Sequence, residues 1–279
     1  MFRRLFGSKG PQDPPRDLEA LAAPHAAPAV HLVAGAEGSS SHLGGAPALP
    51  EGFDWPSRGG APLAFIARID LAELERALPV EWLPSSGSLL FFYDAEKQPW
   101  GFDPADRDGW AVLRLPEAMG AAGAAGGRAR APAGALLPHR AISFRPIRTL
   151  PSPERPGIAA LRLSYAEQDA YDALQDRPFG GKPKHQVAGF PSPVQGDGME
   201  LECQLASNGL FCGDESGYRD SRAPQLEAGA STWRLLLQVD SDDDLGVMWG
   251  DLGRLYFWVR EEDARAGDFS GVWMVLQCS

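Results

Sequence analysis

The stretch LLLQVDSDDDLGVMWGDLGRLYFWV, residues 235–259, places two apolar segments on either side of an acidic loop. Both segments are short and rich in Leu, Val and aromatic residues, which is typical of buried β-strands. The loop carries all the carboxylates of the stretch: Asp240, Asp242, Asp243, Asp244 and Asp251. The stretch therefore predicts two strands joined by a carboxylate-rich loop.

The motifs of this stretch repeat an earlier part of the chain. RLLLQVD ends at Asp240 as AFIARID ends at Asp70, 170 residues before it. GRLYFWV, WMVLQ and the Gly-x-Pro of VAGFPSPV likewise match GSLLFFY, WAVLR and the Gly-x-Pro of LGGAPALP. These three pairs begin at Gly253 and Gly87, at Trp273 and Trp110, and at Gly189 and Gly45, with offsets of 166, 163 and 144. Four motifs in the same order predict an internal duplication.

Other short apolar segments, punctuated by Gly and Pro, predict a mainly β chain (β-rich α+β) with a few short helices. One helix is predicted after Asp70, because Glu73 completes a capping-box spacing and Pro79 ends the apolar periodicity. Ser164 and Glu167 have the same spacing and predict a second helix.

Two segments of biased composition stand apart from the rest of the chain. Residues 1–40 are rich in Ala, Pro, Gly and Ser, which predicts a disordered or weakly ordered tail. The Ala- and Gly-rich tract at 118–138 predicts a low-complexity loop. The remainder is predicted to be a single domain, 41–279, with two repeats at about 41–116 and 185–279 and a connecting segment at 139–184.

The chain is acidic, with a formal net charge of −11 over 279 residues. This charge argues against nucleic-acid binding, which needs clustered Lys and Arg, and against adsorption to anionic lipid. No apolar run approaches about 18 residues, so no integral membrane segment is predicted. Three cysteines without Cys-x-x-Cys spacing predict neither a disulfide framework nor a zinc site, and reduced thiols favour a cytoplasmic protein.

Two interpretations of the acidic loop stay open. In the first, Asp240 caps a helix or turn as Asp70 does, and the other carboxylates are solvated. In the second, clustered oxygens bind Ca²⁺ or Mg²⁺, with Asp240, Asp242, Asp244 and Asp251 as metal ligands. These four follow the spacing of positions 1, 3, 5 and 12 of an EF-hand loop, but position 6 is Leu where an EF-hand has Gly.

Two further residues are candidates for the same site. Trp249 is predicted either as an aromatic platform for a ligand or partner or as a loop anchor packed on the sheet. His185, ahead of QVAGFP, is predicted either as a ligand or base near the loop or as a hydrogen-bonded structural residue. The predicted ligand- or partner-binding set is Asp240, Asp242, Asp243, Asp244, Trp249, Asp251 and His185.

Several of these motifs together resemble one bacterial family. LGGAPALPEGFDWP, APLAFIARIDLAEL, LPSSGSLLFFYD and HQVAGFPSPVQGD, with the segment from residue 235 onward, are similar to the YwqG-like family of bacterial proteins. The resemblance covers residues 42–279 and is most specific in the C-terminal segment. It implies a mainly β, internally duplicated domain with roll-like sheets, and it implies no activity, cofactor or catalytic residues.

The sequence favours a non-catalytic cytoplasmic binding or interaction protein. A duplicated sheet leaves a groove between its repeats, where we expect the acidic loop, Trp249 and His185 to meet. The acidic charge favours a basic protein as partner. No Walker A loop, His-Glu-x-x-His or Gly-x-Ser-x-Gly motif occurs, so no catalytic residue and no cofactor is predicted.

The alternative is a metal-dependent hydrolase with the Asp240–Asp251 loop as cation site and His185 as acid or base. The sequence makes no prediction of the oligomeric state.

Overall fold

The computed structural model describes residues 16–35, 38–116 and 131–279. Within these ranges, twelve strands form one sheet of ten and one separate pair, and their pairings are antiparallel. The strands are β1 (Ala27–Ala34), β2 (His42–Leu43), β3 (Ser57–Arg58), β4 (Ala61–Pro62), β5 (Ala64–Asp70), β6 (Ser88–Tyr93), β7 (Trp110–Leu115), β8 (Arg140–Thr149), β9 (Gln186–Val187), β10 (Trp233–Asp240), β11 (Arg254–Arg260) and β12 (Trp273–Gln277).

Short helices connect the strands. They are α1 (Leu18–Ala22), α2 (Leu71–Ala77), α3 (Pro156–Ala159), α4 (Tyr165–Asp176), α5 (Met199–Ala206), α6 (Ala223–Leu226) and α7 (Glu261–Ala266). None of these described helices combines the length and the apolar composition that a membrane crossing needs. Both predicted helix starts are confirmed. The Asp70 side chain accepts from the Glu73 N–H at 3.0 Å, and Ser164 and Glu167 make both bonds of a capping box.

The ten-stranded sheet is symmetric about its central pair, β1 and β8. Outward from β1 the order is β9, β10, β11, β12, and outward from β8 it is β2, β5, β6, β7. Along the chain, however, β1 precedes β2 and β8 precedes β9. The first strand of each repeat therefore lies against the second strand of the other repeat, and the two halves are joined by exchanged strands.

Local irregularities repeat as well, which confirms the predicted duplication. A register shift interrupts the β5–β6 ladder across residues 65–67, and the same shift interrupts the β10–β11 ladder across residues 235–237. Positive φ angles recur too, since Gly44 at +55° is matched by Ala188 at +60°. A non-glycine residue with a positive φ angle is uncommon. The positive φ of Ala188 therefore indicates a backbone shape that both halves kept from the duplication.

The prediction of a disordered tail over residues 1–40 is wrong for residues 16–35. Residues 27–34 form β1 at the centre of the sheet, where Val30 and His31 are fully buried. The composition was misleading because Ala and Pro supply little apolar surface, whereas β1 is stabilised by pairing with β8, which is distant in the sequence. Residues 1–15 lie outside the described residues.

The predicted connecting segment at 139–184 supplies the second central strand, β8, together with α3 and α4. Of the predicted low-complexity loop at 118–138, residues 118–130 lie outside the described residues. Its described end returns to the sheet, where Leu136 forms a bridge with Phe65. The division into repeats at 41–116 and 185–279 stays a prediction, but the central strands of the sheet come from outside both ranges.

The sheet curls until its two outer parts face each other, which confirms the predicted roll-like architecture. The ring centroids of Phe91 in β6 and Phe257 in β11 are 5.2 Å apart, and those of Trp110 and Trp273 are 5.0 Å apart. The Trp110 Nε1 atom also donates to Val272 O at 2.9 Å. Each such aromatic pair adds about 0.5–1.5 kcal/mol beyond the burial of its area. The main core therefore joins residues of both halves.

Candidate functional site

The acidic loop begins at Asp240, whose carboxylate is bound inside the protein. Its Oδ1 atom lies 2.8 Å from Arg254 Nε, and its Oδ2 atom accepts from the backbone N–H of Lys184 at 2.8 Å. Asp240 caps neither a helix nor a turn, so the predicted cap is wrong at Asp240, and the cap of this loop is formed by Asp242 instead. The reason lies in the opposite strand, where Asp70 faces Ser88 but Asp240 faces a cation, Arg254.

Asp242 is the most buried carboxylate of the loop. It caps the 3₁₀ turn at 243–245. Its Oδ2 atom lies 2.5 Å from Arg140 Nη1 and 3.0 Å from His185 Nε2. The hydrogen bond from His185 lowers the pKa of Asp242, and the charge of Arg140 lowers it further. The carboxylate is therefore ionised at neutral pH and satisfied within the protein.

The tautomer of His185 follows from its two hydrogen bonds. Its Nδ1 atom accepts from the backbone N–H of Asp240 at 3.0 Å, so the ring proton lies on Nε2 and is directed at the acidic loop. The other half has Ser41 in the matching position. The Ser41 hydroxyl accepts from the Asp70 N–H at 2.9 Å and donates to Glu73 at 2.6 Å. His185 therefore has the contacts of a structural residue that ties a strand to a loop.

The remaining aspartates of the loop are exposed: Asp243, Asp244 and Asp251. Of these, Asp244 lies 3.3 Å from Arg140 Nη2. In the part of the chain that the structure describes, no group of three or more His, Cys, Asp or Glu side chains is placed to hold a metal ion. The predicted metal ligands are not brought together: Asp240, Asp242, Asp244 and Asp251.

Trp249 is buried beneath the loop rather than displayed beside it. Its Nε1 atom donates to Asp240 O at 3.2 Å, and its ring meets Tyr93 edge-on with centroids 5.7 Å apart. The Trp249 backbone N–H donates to Ser241 Oγ at 3.0 Å. This is the arrangement predicted for a loop anchor, and it leaves no ring face free for a partner.

A pocket of 430 Å³ opens beside His185, at the junction of the two halves, and is called the junction pocket. It lies beyond the end of the two-residue strand β9, where Leu32 still donates to His185 O but Val33 and Ala34 of β1 have no partner in β9. His185 lines this pocket, whereas Trp249 and the loop aspartates do not. The groove predicted between the repeats is thus present, but only one of the residues expected there reaches it. Its apolar lining includes Leu32, Leu43, Ile142, Phe179 and Pro183.

The charged side chains of the junction pocket are all cations: Arg140, Arg145 and Lys182. Arg145 Nη2 donates to Pro178 O at 2.5 Å and to Nδ1 of His31 at 2.8 Å. Within the described ranges, no ion pair includes Arg145 or Lys182. The pocket therefore carries two positive charges that no described carboxylate neutralises.

His31 is a neutral support for Arg145. Its Nε2 atom lies 2.9 Å from Pro183 O, so Nε2 carries the proton and Nδ1 is free to accept from the guanidinium. Burial lowers the pKa of His31, and the charge of Arg145 lowers it further. Two uncharged acceptors thus hold Arg145 in place without removing its charge.

Sequence reasoning missed these cations. A signal was present in HRAISFRPIRTL, residues 139–150, where three arginines lie within the segment that forms β8. Their meaning depends on which carboxylates lie opposite, and those come from distant segments. Arg140 meets Asp242, whereas Arg145 meets only His31 and a carbonyl group.

The DUF1963 family, described as a domain of unknown function, has a model that matches residues 41–278. The chain belongs to the DUF1963 family. No curated protein matches it. In this DUF1963 protein, the matched range contains every strand of the ten-stranded sheet except β1. The wall of the junction pocket that β1 supplies, which includes Leu32, therefore lies outside the family match.

Proposed function

We propose that this DUF1963 protein is a non-catalytic binding protein whose junction pocket holds a small anionic ligand with an apolar part. The observation that carries the proposal is Arg145, a cation fixed at the pocket by His31 and Pro178 O and paired with no described carboxylate. Lys182, which is exposed, adds a second positive charge.

The charge of the junction pocket is opposite to that of the chain. The formal net charge is −11, yet every charged side chain that lines the pocket is a cation. Hydrogen bonds to charged groups contribute about 1.5–3 kcal/mol each. A guanidinium that its surroundings already orient loses little side-chain entropy when it binds a carboxylate or phosphate.

The remaining surface of the pocket selects for an apolar group next to the anion. Leu32, Leu43 and Ile142 come from three neighbouring strands, and Phe179 closes one side. The volume of 430 Å³ falls within the range of about 300–1,000 Å³ that is usual for small-molecule sites. Burying the apolar part of such a ligand would contribute about 25 cal/mol for each Å² removed from water.

The source and the cellular location of the protein are proposed from its sequence. We propose that the protein is a bacterial, YwqG-like member of its family and that it works in the cytoplasm. The support is the match of the YwqG-like motifs to the same residues that carry the duplication, together with three buried cysteines that form no disulfide.

A second candidate function is the docking of a basic protein on the acidic loop. One observation favours it: Met248 and Leu252, with exposed fractions of 50% and 63%, lie among the exposed aspartates. Exposed apolar residues surrounded by carboxylates suit a partner with Lys or Arg around an apolar centre. Asp243→Lys combined with Asp251→Lys would abolish capture of such a partner and leave ligand binding at the junction pocket unchanged.

The proposed function is tested by thermal melts with matched pairs of neutral and anionic compounds. Benzoate and benzamide share one shape and differ in charge. A ligand at about 100 times its Kd adds about 2.7 kcal/mol to native-state stability. We expect benzoate to raise Tm more than benzamide at equal concentration. Equal shifts, or a larger shift with benzamide, would count against an anion site.

A further inference from the structure

We propose that a second cavity binds a neutral, planar heteroaromatic molecule. This aromatic cleft has a volume of about 450 Å³ and is defined by Trp82, Phe190, Trp233 and Trp258. Its walls come from both halves: Trp82 follows α2, whereas the other three belong to β10, β11 and the turn after β9. The half-buried rings of Trp82 and Phe190 favour a flat ligand that stacks against them, and the buried Trp233 and Trp258 add to the aromatic lining.

Trp258, which lines the cleft, has an unused hydrogen-bond donor. The residue is 1% exposed, and its Nε1 atom has no hydrogen-bond partner among the described residues. Two other buried tryptophans differ, because Trp233 Nε1 donates to Gln204 at 2.9 Å and Trp249 Nε1 donates to Asp240 O. Buried indole N–H groups usually find a partner. A ring acceptor on the ligand would supply the missing one as the aromatic side chains adjust to the bound molecule.

Both arginines that line the cleft are ion-paired, and among the described residues of the lining only the exposed carboxylate of Glu81 has no ion pair. Arg155 lies 2.5 Å from Asp197 and 2.8 Å from Glu200. Arg234 lies 2.8 Å from Glu261. Unlike the junction pocket, the cleft thus offers no uncompensated guanidinium among the described residues, so an anion would lose its hydration without gaining a counter-ion, and a neutral ligand is favoured over an anion.

The other half of the sheet shows what fills the equivalent position when no ligand is needed. Phe92 corresponds to Trp258, 166 residues later, and has no N–H group to satisfy. The rings of Trp55 and Phe65 pack against Phe92 with centroids 5.2 and 5.4 Å away. One half therefore packs a phenylalanine with its own aromatic residues, whereas the other places a tryptophan with an unused donor at an open cleft.

Quinoline and naphthalene test the proposal, because they have the same shape and only quinoline has a ring acceptor. The measurement is the ratio of their dissociation constants for the wild-type protein and for Trp258→Phe, the residue found at the matching position. We expect the preference for quinoline to fall about tenfold in Trp258→Phe, as is usual when one buried hydrogen bond is lost. Trp55→Phe, outside the cleft, is the matched control and keeps the wild-type ratio.

An NMR measurement keeps the proposal testable if Trp258→Phe fails to fold. In the ¹⁵N spectrum of the wild-type protein, quinoline should move the Trp258 indole signal downfield and naphthalene should not. The proposal is overturned if neither probe binds at millimolar concentration, or if the ratio of dissociation constants is the same in Trp258→Phe. Arg145→Gln leaves quinoline binding unchanged, so failure of this cleft and failure of the junction pocket can be told apart.

Discussion

His185 Nε2 lies 3.0 Å from the Asp242 Oδ2 atom, within a cluster that joins the two halves of the sheet. Arg140, at the start of β8, approaches the same carboxylate oxygen at 2.5 Å. In the other half, Ser41 and Glu73 make the corresponding contact at 2.6 Å. A hydroxyl–carboxylate pair and an imidazole–carboxylate pair thus occupy equivalent places, and His185 of the second pair lines the junction pocket.

We expect Asp242→Asn to destabilise the protein by about 2–4 kcal/mol, because it leaves the Arg140 charge without its closest partner in a partly buried site. Urea unfolding measures the change. Asp243→Asn is the control, since Asp243 is exposed, and it should change the free energy of unfolding by less than about 0.5 kcal/mol. Equal effects of the two substitutions would mean that the cluster does not stabilise the fold.

The lowered pKa of Asp242 predicts a pH dependence. A carboxyl group whose pKa is lower in the folded state stabilises the protein above its unfolded pKa, about 3.9. That contribution is lost as the pH falls through the folded value. The stability difference between wild type and Asp242→Asn should therefore be constant from about pH 5 to 8 and shrink below about pH 4. A difference that grows on acidification would contradict this account.

Glu202 predicts the opposite dependence. Burial raises its pKa to about 7, with a further contribution from the charges of Glu200 and Asp197, and its Oε2 atom is buried without a hydrogen-bond partner in the described part of the chain. Because the folded pKa is above the unfolded value, stability falls as pH rises from about 4.3 through 7. The advantage of Glu202→Gln over wild type should grow by about 1–3 kcal/mol between pH 5 and pH 8.

Chemical denaturation at the two pH values measures this change. Glu227→Gln is the matched control, because Glu227 is exposed, and its effect should be the same at both pH values. A Glu202→Gln variant that loses stability at pH 8 would show that the ionised carboxylate is favourable in the folded protein.

We expect Ca²⁺ and Mg²⁺ to leave the stability nearly unchanged, because Arg254 and Arg140 already hold the carboxylates of Asp240 and Asp242. The measurement is Tm with each ion against EDTA, and the predicted change is below about 1 °C. A specific site at about 100 times its Kd would add about 2.7 kcal/mol. A rise of about 5 °C that disappears in Asp242→Asn would restore the metal interpretation.

The sequence predicted those parts of the fold that local motifs encode. Asp70 and Glu73 cap a helix, and the matched segments ending at Asp70 and Asp240 lie in equivalent strands. It did not predict β1, because Ala and Pro at residues 27–34 gain their stability only from pairing with β8. The equivalence of Asp240 and Asp70 in the repeat also led to the wrong prediction that Asp240 is a cap. Asp240 binds Arg254, its neighbour on the adjacent strand, instead of backbone N–H groups of a helix.

The candidate site was harder to predict than the fold. His185 lines the junction pocket, whereas Trp249 is a buried loop anchor, the second of its two predicted roles, and Asp240 and Asp242 are paired with arginines. Arg145 was missed because its importance depends on a missing partner. A sequence shows which charges a chain has, and only the folded contacts show which of them remain uncompensated.

Calorimetric titration of benzoate into Arg145→Gln and Arg148→Gln tests the central claim most directly. Both residues lie on β8, but Arg148 donates to Ala26 O and does not line the junction pocket. We expect Arg145→Gln to weaken benzoate binding about tenfold or more, as the loss of one charged hydrogen bond predicts, and Arg148→Gln to bind like wild type. Equal dissociation constants for Arg145→Gln and wild type would contradict the proposal that the junction pocket is an anion site.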